Sequence, residues 1–156
     1  VQTILDYLLT LAPAAMKYEW DNVGLICGRR DQEVTKILVA LDPFENVCRE
    51  AIELGADMIM THHPLIFRAM KHITDEDFIG RRIVKMIQSD ISYFAMHTNY
   101  DSVPGGMADI VAERLGIMFG APLEEMGEEN GAAYGIGKIG ILNAHSRMIS
   151  NSVIAI

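Results

Sequence analysis

Apolar residues follow two alternating patterns along this chain, which are short unbroken runs and longer stretches with helical spacing. The runs in "VGLICG", "KILVALD", "DMIMTHH" and "ISYFAMH" end at turn or polar residues and predict short buried β-strands. Helical spacing in "TILDYLLTLAP", "PFENVCREAIELGAD", "TDEDFIGRRIVKMIQSD" and "PGGMADIVAERLG" predicts the helices. Because the strands alternate with helices, the pattern predicts an α/β fold with a largely parallel sheet flanked by helices.

The pattern changes after Gly120. "EEMGEEN" predicts an acidic loop, and the Gly-rich stretch "GAAYGIGKIGIL" predicts a strand or hairpin of a second unit. We therefore expect an α/β domain that carries the functional site over residues 1–120. Residues 121–156 would be the start of a second unit or the remainder of a truncated one.

Composition narrows the function classes. Half of the 156 residues are hydrophobic, so the chain can bury the core of one ordinary domain. The net charge of -8 disfavours a phosphate-binding surface, so we expect no nucleic-acid partner. No apolar run is long enough to cross a bilayer, and we expect no membrane association. The two cysteines lie far apart in sequence and form no metal or redox motif, which favours the cytoplasm.

Polar residues follow three successive predicted strands. Asp42 ends "KILVALD", His62 and His63 end "DMIMTHH", and His97 ends "ISYFAMH" and is followed by Asp101 in "HTNYD". The carboxyl ends of neighbouring parallel strands lie on one edge of a sheet, where open α/β sheets bind ligands. We therefore expect these side chains to meet in one crevice.

The adjacent histidines favour a metal site. Alternation along a strand would point His62 and His63 to opposite faces, but a bend at Pro64 releases them from it. Neutral imidazole binds borderline metals, and Asp101 could add an oxygen donor. In the alternative reading, His62 caps a backbone group and His63 packs at the surface. The grouping with His97 and Asp101 favours the metal site.

The other candidate residues receive structural interpretations. His72 lies in the loop segment "MKHITDED", where we expect a surface residue rather than a ligand, and His145 in "NAHSRM" has no carboxylate at a convincing spacing. Trp20 in "YEWDNVGL" is predicted to be a structural anchor, whereas Asp21 and Asn22 could face a pocket.

Five segments resemble a known family. "EWDNVGLICG", "ILVALD", "GADMIMTHHPLIF", "AMHTNYDSVPGGMADIVAERLG" and "GAAYGIGKIG" occur in the order typical of the YbgI-type dinuclear metal-centre family, or NGG-interacting-factor-three-like family. Its members are often labelled GTP cyclohydrolase 1 type 2 homologs. The resemblance implies a layered α/β sandwich, a pair of divalent ions and a ring-shaped homohexamer.

The resemblance also implies roles for particular residues. The metal ligands would be His62, His63 and Asp101, and His97 would lie close by. The family also uses a histidine and a bridging glutamate four residues apart near the C-terminus, and no such pair follows Asp101 here. The C-terminal part is therefore expected to be incomplete or divergent. With three ligands for two ions, we expect weak binding or a single occupied site.

Two function classes follow. The first is a metal-dependent hydrolase that resembles the GTP cyclohydrolase homologs, with a nucleotide such as GTP as the implied substrate and His97 as general acid or base. The second is a metal-binding assembly or regulatory protein without turnover. The ligand set suits Zn, Fe, Mn or Co comparably.

Overall fold

The computed structural model of the chain describes residues 1–142 and 153–155. These residues form two compact units: unit 1 is Val1–Ala14 with Glu19–His97, and unit 2 is Ala15–Tyr18 with the chain from Thr98 onward. His145 lies outside the described residues, so the expectation that it is not a ligand stays a prediction. The expected domain boundary at residue 120 also stays a prediction.

Unit 1 contains a four-stranded sheet and its helices. Its elements are α1 (Gln2–Leu11), β1 (Gly24–Cys27), β2 (Ile37–Ala40), α2 (Glu45–Leu54), β3 (Met58–Thr61), α3 (Phe78–Gln88) and β4 (Ser92–Ala95). The strand order is β1-β4-β3-β2; β2, β3 and β4 are parallel, and β1 is antiparallel to β4. The predicted α/β fold with a largely parallel sheet is therefore confirmed.

The core of unit 1 explains its sequence pattern. The central strands β3 and β4 are largely buried, and such strands read as nearly continuous apolar runs. Helix α2 packs against β3 and α3 packs against β4, which places Cys48 and Met86 in one core cluster with Ile59 and Tyr93. Helix α3 begins after Asp77, whose carboxylate accepts two backbone N–H bonds as an N-cap.

The described part of unit 2 contains short helices and antiparallel strands. Its elements are α4 (Thr98–Ser102), α5 (Met107–Leu115), β5 (Ile117–Ala121), β6 (Glu124–Glu129), β7 (Ala132–Ile136), β8 (Ile139–Leu142) and β9 (Val153–Ala155). Strands β5, β8 and β9 form one antiparallel sheet in the order β5-β8-β9, and β6 pairs with β7. The short helix Ala14–Met16 precedes the first strand of the chain.

The acidic segment of unit 2 differs from its predicted structure. The segment expected to be a loop forms strand β6, which pairs with β7 as a hairpin. Its two-residue turn is Asn130-Gly131, with φ of 51° and 78°. Two successive positive φ angles are typical of a type I′ turn, for which Asn-Gly is a strong sequence signal. The loop prediction was wrong because it gave the acidic side chains more weight than this dipeptide.

Within residues 1–142 and 153–155, no helix is long and apolar enough to cross a membrane.

Candidate metal centre

Three histidine rings meet at the carboxyl ends of β3 and β4 in unit 1. His62 and His63 directly follow Thr61, the last residue of β3, and His97 is the second residue after β4. One ring nitrogen from each histidine lies within 4.8 Å of those of the other two. The ring centroids are 5.0 Å apart for His62–His63, 5.2 Å for His62–His97 and 5.6 Å for His63–His97. Three of the residues expected at this edge are thus together.

A carboxylate from the neighbouring strand contacts His63. Asp42 lies just past β2, and its Oδ1 is 2.6 Å from Nδ1 of His63. The pair is partly open to water, with 27% of the Asp42 side chain and 46% of the His63 side chain exposed. Because β2, β3 and β4 are parallel, the residues after all three strands converge on one edge of the sheet.

A second carboxylate contacts His97 from a different part of unit 1. Asp21 Oδ1 lies 2.8 Å from Nδ1 of His97 and also accepts the backbone N–H of Asn22 at 2.8 Å. None of the Asp21 side chain and 17% of the His97 side chain is exposed. The sequence left it open whether Asp21 faces a pocket, and the structure shows it oriented toward the histidine cluster.

The two carboxylates define which nitrogen of each ring carries the proton. An ionised carboxylate only accepts hydrogen bonds, so Nδ1 of His63 and of His97 must be the donor. In the neutral imidazole the lone pair is then on Nε2, the arrangement found in carboxylate–histidine–metal sites. The donor chemistry of the cluster therefore fits a borderline divalent ion.

The bend after β3 is held by two buried hydroxyl groups. Thr61 Oγ1 and the Tyr93 hydroxyl lie 2.6 Å apart, and each is within 2.9 Å of the carbonyl oxygen of His63. One hydroxyl donates to this carbonyl and the other donates to the first hydroxyl. The Tyr93 oxygen also accepts the backbone N–H of Leu65 at 3.0 Å. These bonds fix the backbone on both sides of Pro64, so the histidine pair is held in place before any ligand binds.

Burial keeps Tyr93 in its neutral form. Its side chain is fully buried in the core, and burial raises the pKa of Tyr93 to about 12, against the lowering effect of its hydrogen bonds to Thr61 and Leu65. The hydroxyl therefore remains protonated at neutral pH and supports the bend as both a donor and an acceptor.

The remaining predicted residues have different positions. Asp101 lies in α4 of unit 2, and its role as a metal ligand stays a prediction. His72 is exposed, as expected. Trp20 does not occupy the core as an anchor would, because 57% of it is exposed. Its ring contacts Phe67 and His97 instead.

Sequence reasoning missed the contribution of Tyr93. Its signal was a hydroxyl within the otherwise apolar strand "ISYFAM", because a buried tyrosine usually has a hydrogen-bond partner. Phe67 carried no comparable signal, since an aromatic residue after an apolar run most often belongs to a core.

Comparison with known proteins gives consistent matches. The chain matches the Duf34/NIF3 (NGG1p interacting factor 3) family over residues 1–153. A Clostridium perfringens protein named GTP cyclohydrolase 1 type 2 homolog is 43% identical over 136 residues, which are 87% of this chain and 51% of that protein. The chain thus spans about half the length of this relative.

Solved structures show the same similarity. A Bacillus cereus protein related to NIF3 has 38% identity and a TM-score of 0.75, with 80% of this chain and 34% of that chain covered. Reduced HcgD from Methanocaldococcus jannaschii has 31% identity and a TM-score of 0.77, with 90% of this chain and 53% of that chain covered.

Proposed function

Because the chain belongs to the Duf34/NIF3 family, as its sequence motifs predicted, we propose that it binds divalent metal at the histidine cluster and uses it in hydrolysis. One observation carries the proposal: three histidine nitrogens lie within 4.8 Å of one another, and carboxylates orient two of the rings. Metal-binding histidines almost always donate their second ring N–H to a carboxylate, a backbone carbonyl or water, and the carboxylate partners of His63 and His97 fit this pattern.

The proposed ligands are His62 and His63, with Asp101 as the oxygen donor implied by the "HTNYD" motif. A divalent ion at such a site would activate water near neutral pH and polarise the bond to be broken. The family resemblance implies two such ions per protein, but with three protein ligands we propose weak binding or a single occupied site in this chain. Zn, Fe, Mn and Co all suit these donors.

His97 has two possible roles in this scheme. As a neighbour of the ion, its imidazole would accept or donate a proton during hydrolysis. As a third histidine ligand, it would bind the ion directly, and its distances to His62 and His63 suit that role equally well. We propose the first role for His97. We also propose a nucleotide such as GTP as substrate, because the curated relatives are named GTP cyclohydrolase 1 type 2 homologs.

Metal binding is tested by elemental analysis of protein purified without added metal, followed by zinc and manganese titration after chelator treatment. We expect binding in the unmodified chain, strong loss in His63→Ala, and no change in His72→Ala, which removes an exposed histidine. Equal binding by all three proteins would contradict the proposed site.

Hydrolysis is tested separately with a panel of nucleotides. We expect metal-dependent turnover that is lost in His97→Ala while metal content is retained. Loss of metal together with activity would assign His97 as a ligand. Absence of turnover in the metal-loaded chain would favour the second function class.

That second class is a metal-binding assembly without turnover, and one observation favours self-association. Strand β2 is at the edge of its sheet, and its apolar residues Ile37 and Val39 are exposed together with Leu41. An exposed edge strand is a template for pairing with another chain, and an exposed apolar patch marks an interaction site. We propose a homo-oligomer, with the hexamer as the state implied by the resemblance. A stable monomer in light scattering at all concentrations would refute it.

We also propose a cytoplasmic location. Cys27 and Cys48 are both free thiols, as expected for a reducing compartment. Fractionation of cells that produce the protein tests this directly.

A further inference from the structure

The tripeptide Trp20-Asp21-Asn22 connects the histidine cluster to a neighbouring segment. Asp21 accepts the Nδ1–H of His97, and Nδ2 of Asn22 donates to the carbonyl oxygen of Ile66 at 2.7 Å. Ile66 directly precedes Phe67. The side chains of Asp21 and Asn22 are each held by a hydrogen bond. They therefore keep the backbone at Trp20 at a fixed distance from the backbone at Phe67.

The aromatic pair of Trp20 and Phe67 lies beside the cluster and is open to water. The centroids of its two rings are 5.6 Å apart at an interplanar angle of 58°, and the Trp20 ring meets the His97 ring edge to face at 6.4 Å. Trp20 is 57% exposed and Phe67 is 52% exposed. The fold thus holds two large rings in water, although their burial would be favourable by a few kcal/mol.

From this arrangement we propose that the aromatic pair stacks a planar heteroaromatic ring of the ligand whose reacting group reaches the histidine cluster. The inference rests on the proposed function and adds how the substrate is recognised. An aromatic face attracts the face of any nucleobase-like ring, with little dependence on its edge groups. A polyanionic chain is a poor occupant because the protein carries a net charge of -8.

The position of the pair favours a small molecule over a protein partner. Trp20 contacts His97 itself, so a ring on Trp20 would place its attached groups within a few ångströms of the cluster. The two segments are also cross-linked by Asn22, which lowers the entropic cost of binding a rigid ring.

Trp20 is the only tryptophan in the sequence, so its fluorescence reports on this site alone. The experiment titrates the full chain with guanosine monophosphate and, in parallel, with ribose 5-phosphate, which lacks the ring. Excitation is at the red edge of tryptophan absorption, where the nucleobase does not absorb. We expect saturable quenching with the first compound only.

Variants measured by calorimetry give the second readout. Trp20→Ala should weaken guanosine monophosphate binding by about 5-fold to about 100-fold, and Trp20→Phe should retain most of it. Tyr7→Ala, which removes an exposed aromatic ring from α1, should bind normally. Zinc affinity should be unchanged in all three variants, since none of them removes a proposed ligand.

Three results would overturn the inference: equal quenching by ribose 5-phosphate, unchanged affinity in Trp20→Ala, or a blue shift of Trp20 emission on raising the protein concentration without ligand. The last would show that a second copy covers the pair. Failure of the proposed function has a different signature, because loss of metal binding would leave ring-dependent quenching intact. Normal metal binding without quenching would refute the stacking alone.

Discussion

The two aspartate–histidine pairs of the candidate metal centre have similar distances but very different access to water. The oxygen–nitrogen distance is 2.8 Å for Asp21–His97 and 2.6 Å for Asp42–His63. Asp21 is fully buried, whereas Asp42 and His63 are both partly exposed. Water can replace a partner in the exposed pair but not in the buried one, and charges interact more strongly where water is excluded. The two pairs are therefore expected to differ in interaction strength because of their burial and not because of their distances.

The backbone supports of the two histidines also differ. His63 donates its backbone N–H to Leu41 at 3.1 Å, and its carbonyl accepts from the Thr61–Tyr93 hydroxyl pair. The backbone of His63 would therefore keep its position without the Asp42 carboxylate. The ring of His97 is oriented by Asp21, which is itself held by Asn22. We therefore expect His97 to depend more on its carboxylate than His63 does.

The largest expected effect is that of Asp21→Asn on the proposed turnover, because Asp21 orients His97, the proposed general acid or base. The amide can donate as well as accept, so it no longer forces the proton of His97 onto Nδ1, and the buried charge is lost. We expect metal-dependent turnover to fall by about 100-fold, while zinc affinity, measured by competition with a chromophoric chelator, stays unchanged. Asp31→Asn, at a highly exposed carboxylate, is the matched control. Equal turnover in Asp21→Asn and Asp42→Asn, both saturated with metal, would break the comparison.

The parts of this site that could be predicted from the sequence depend on local patterns. The apolar runs identified β2, β3 and β4, and the rule that parallel strands share an edge brought His62, His63 and His97 together. These predictions needed only strand order and direction, which the alternation of strands and helices supplies.

The unpredicted parts depend on contacts between distant segments. Asp21 and His97 are 76 residues apart, and no periodicity relates them. The exposure of Trp20 is equally a tertiary property, because it depends on what the fold leaves uncovered around a residue that usually prefers burial. The antiparallel direction of β1 likewise depends on how the chain returns to the sheet.

Tyr93→Phe sharpens the comparison by changing the bend of His63 without touching either carboxylate. The variant removes a hydroxyl that is bonded to Thr61, to the carbonyl of His63 and to the N–H of Leu65, all in a buried environment. We expect the free energy of unfolding to fall by about 1–3 kcal/mol, measured by urea denaturation. Tyr7→Phe, at an exposed position, should have no effect. Unchanged stability would show that the bend does not need these bonds.

Asp42→Asn should weaken metal binding, because Asp42 contacts the proposed ligand His63, but by a smaller factor than Asp21→Asn lowers turnover. The pair is partly exposed, and backbone bonds hold His63 independently of its ring. We expect zinc affinity to fall by about 10-fold, measured under the same conditions as for Asp21→Asn. A loss of about 100-fold would mean that the ring contact, and not the backbone, orients His63.

The smallest expected effect concerns acid stability at the start of β2, the strand that leads to Asp42. Asp57 Oδ2 accepts the backbone N–H bonds of Thr35 at 2.7 Å and Lys36 at 2.9 Å, and the Thr35 hydroxyl at 2.9 Å. These bonds, the one from Thr35 N–H foremost, lower the pKa of Asp57 below its ordinary value of 3.8. A lowered folded pKa contributes stability that is fully present well above pH 3.8 and is lost as the pH falls through the folded value.

We therefore expect the urea midpoint of the metal-free chain to fall in this acid range, and to fall less steeply in Asp57→Asn, whose stability at neutral pH should already be lower. Asp31→Asn should keep the acid dependence of the unmodified chain. If Asp57→Asn kept it as well, the acid-sensitive group would lie elsewhere. The buried Asp21 would then be the next carboxylate to test. A positive result would assign the acid sensitivity to the buried Asp21–His97 pair and not to the strand that leads to the exposed Asp42–His63 pair.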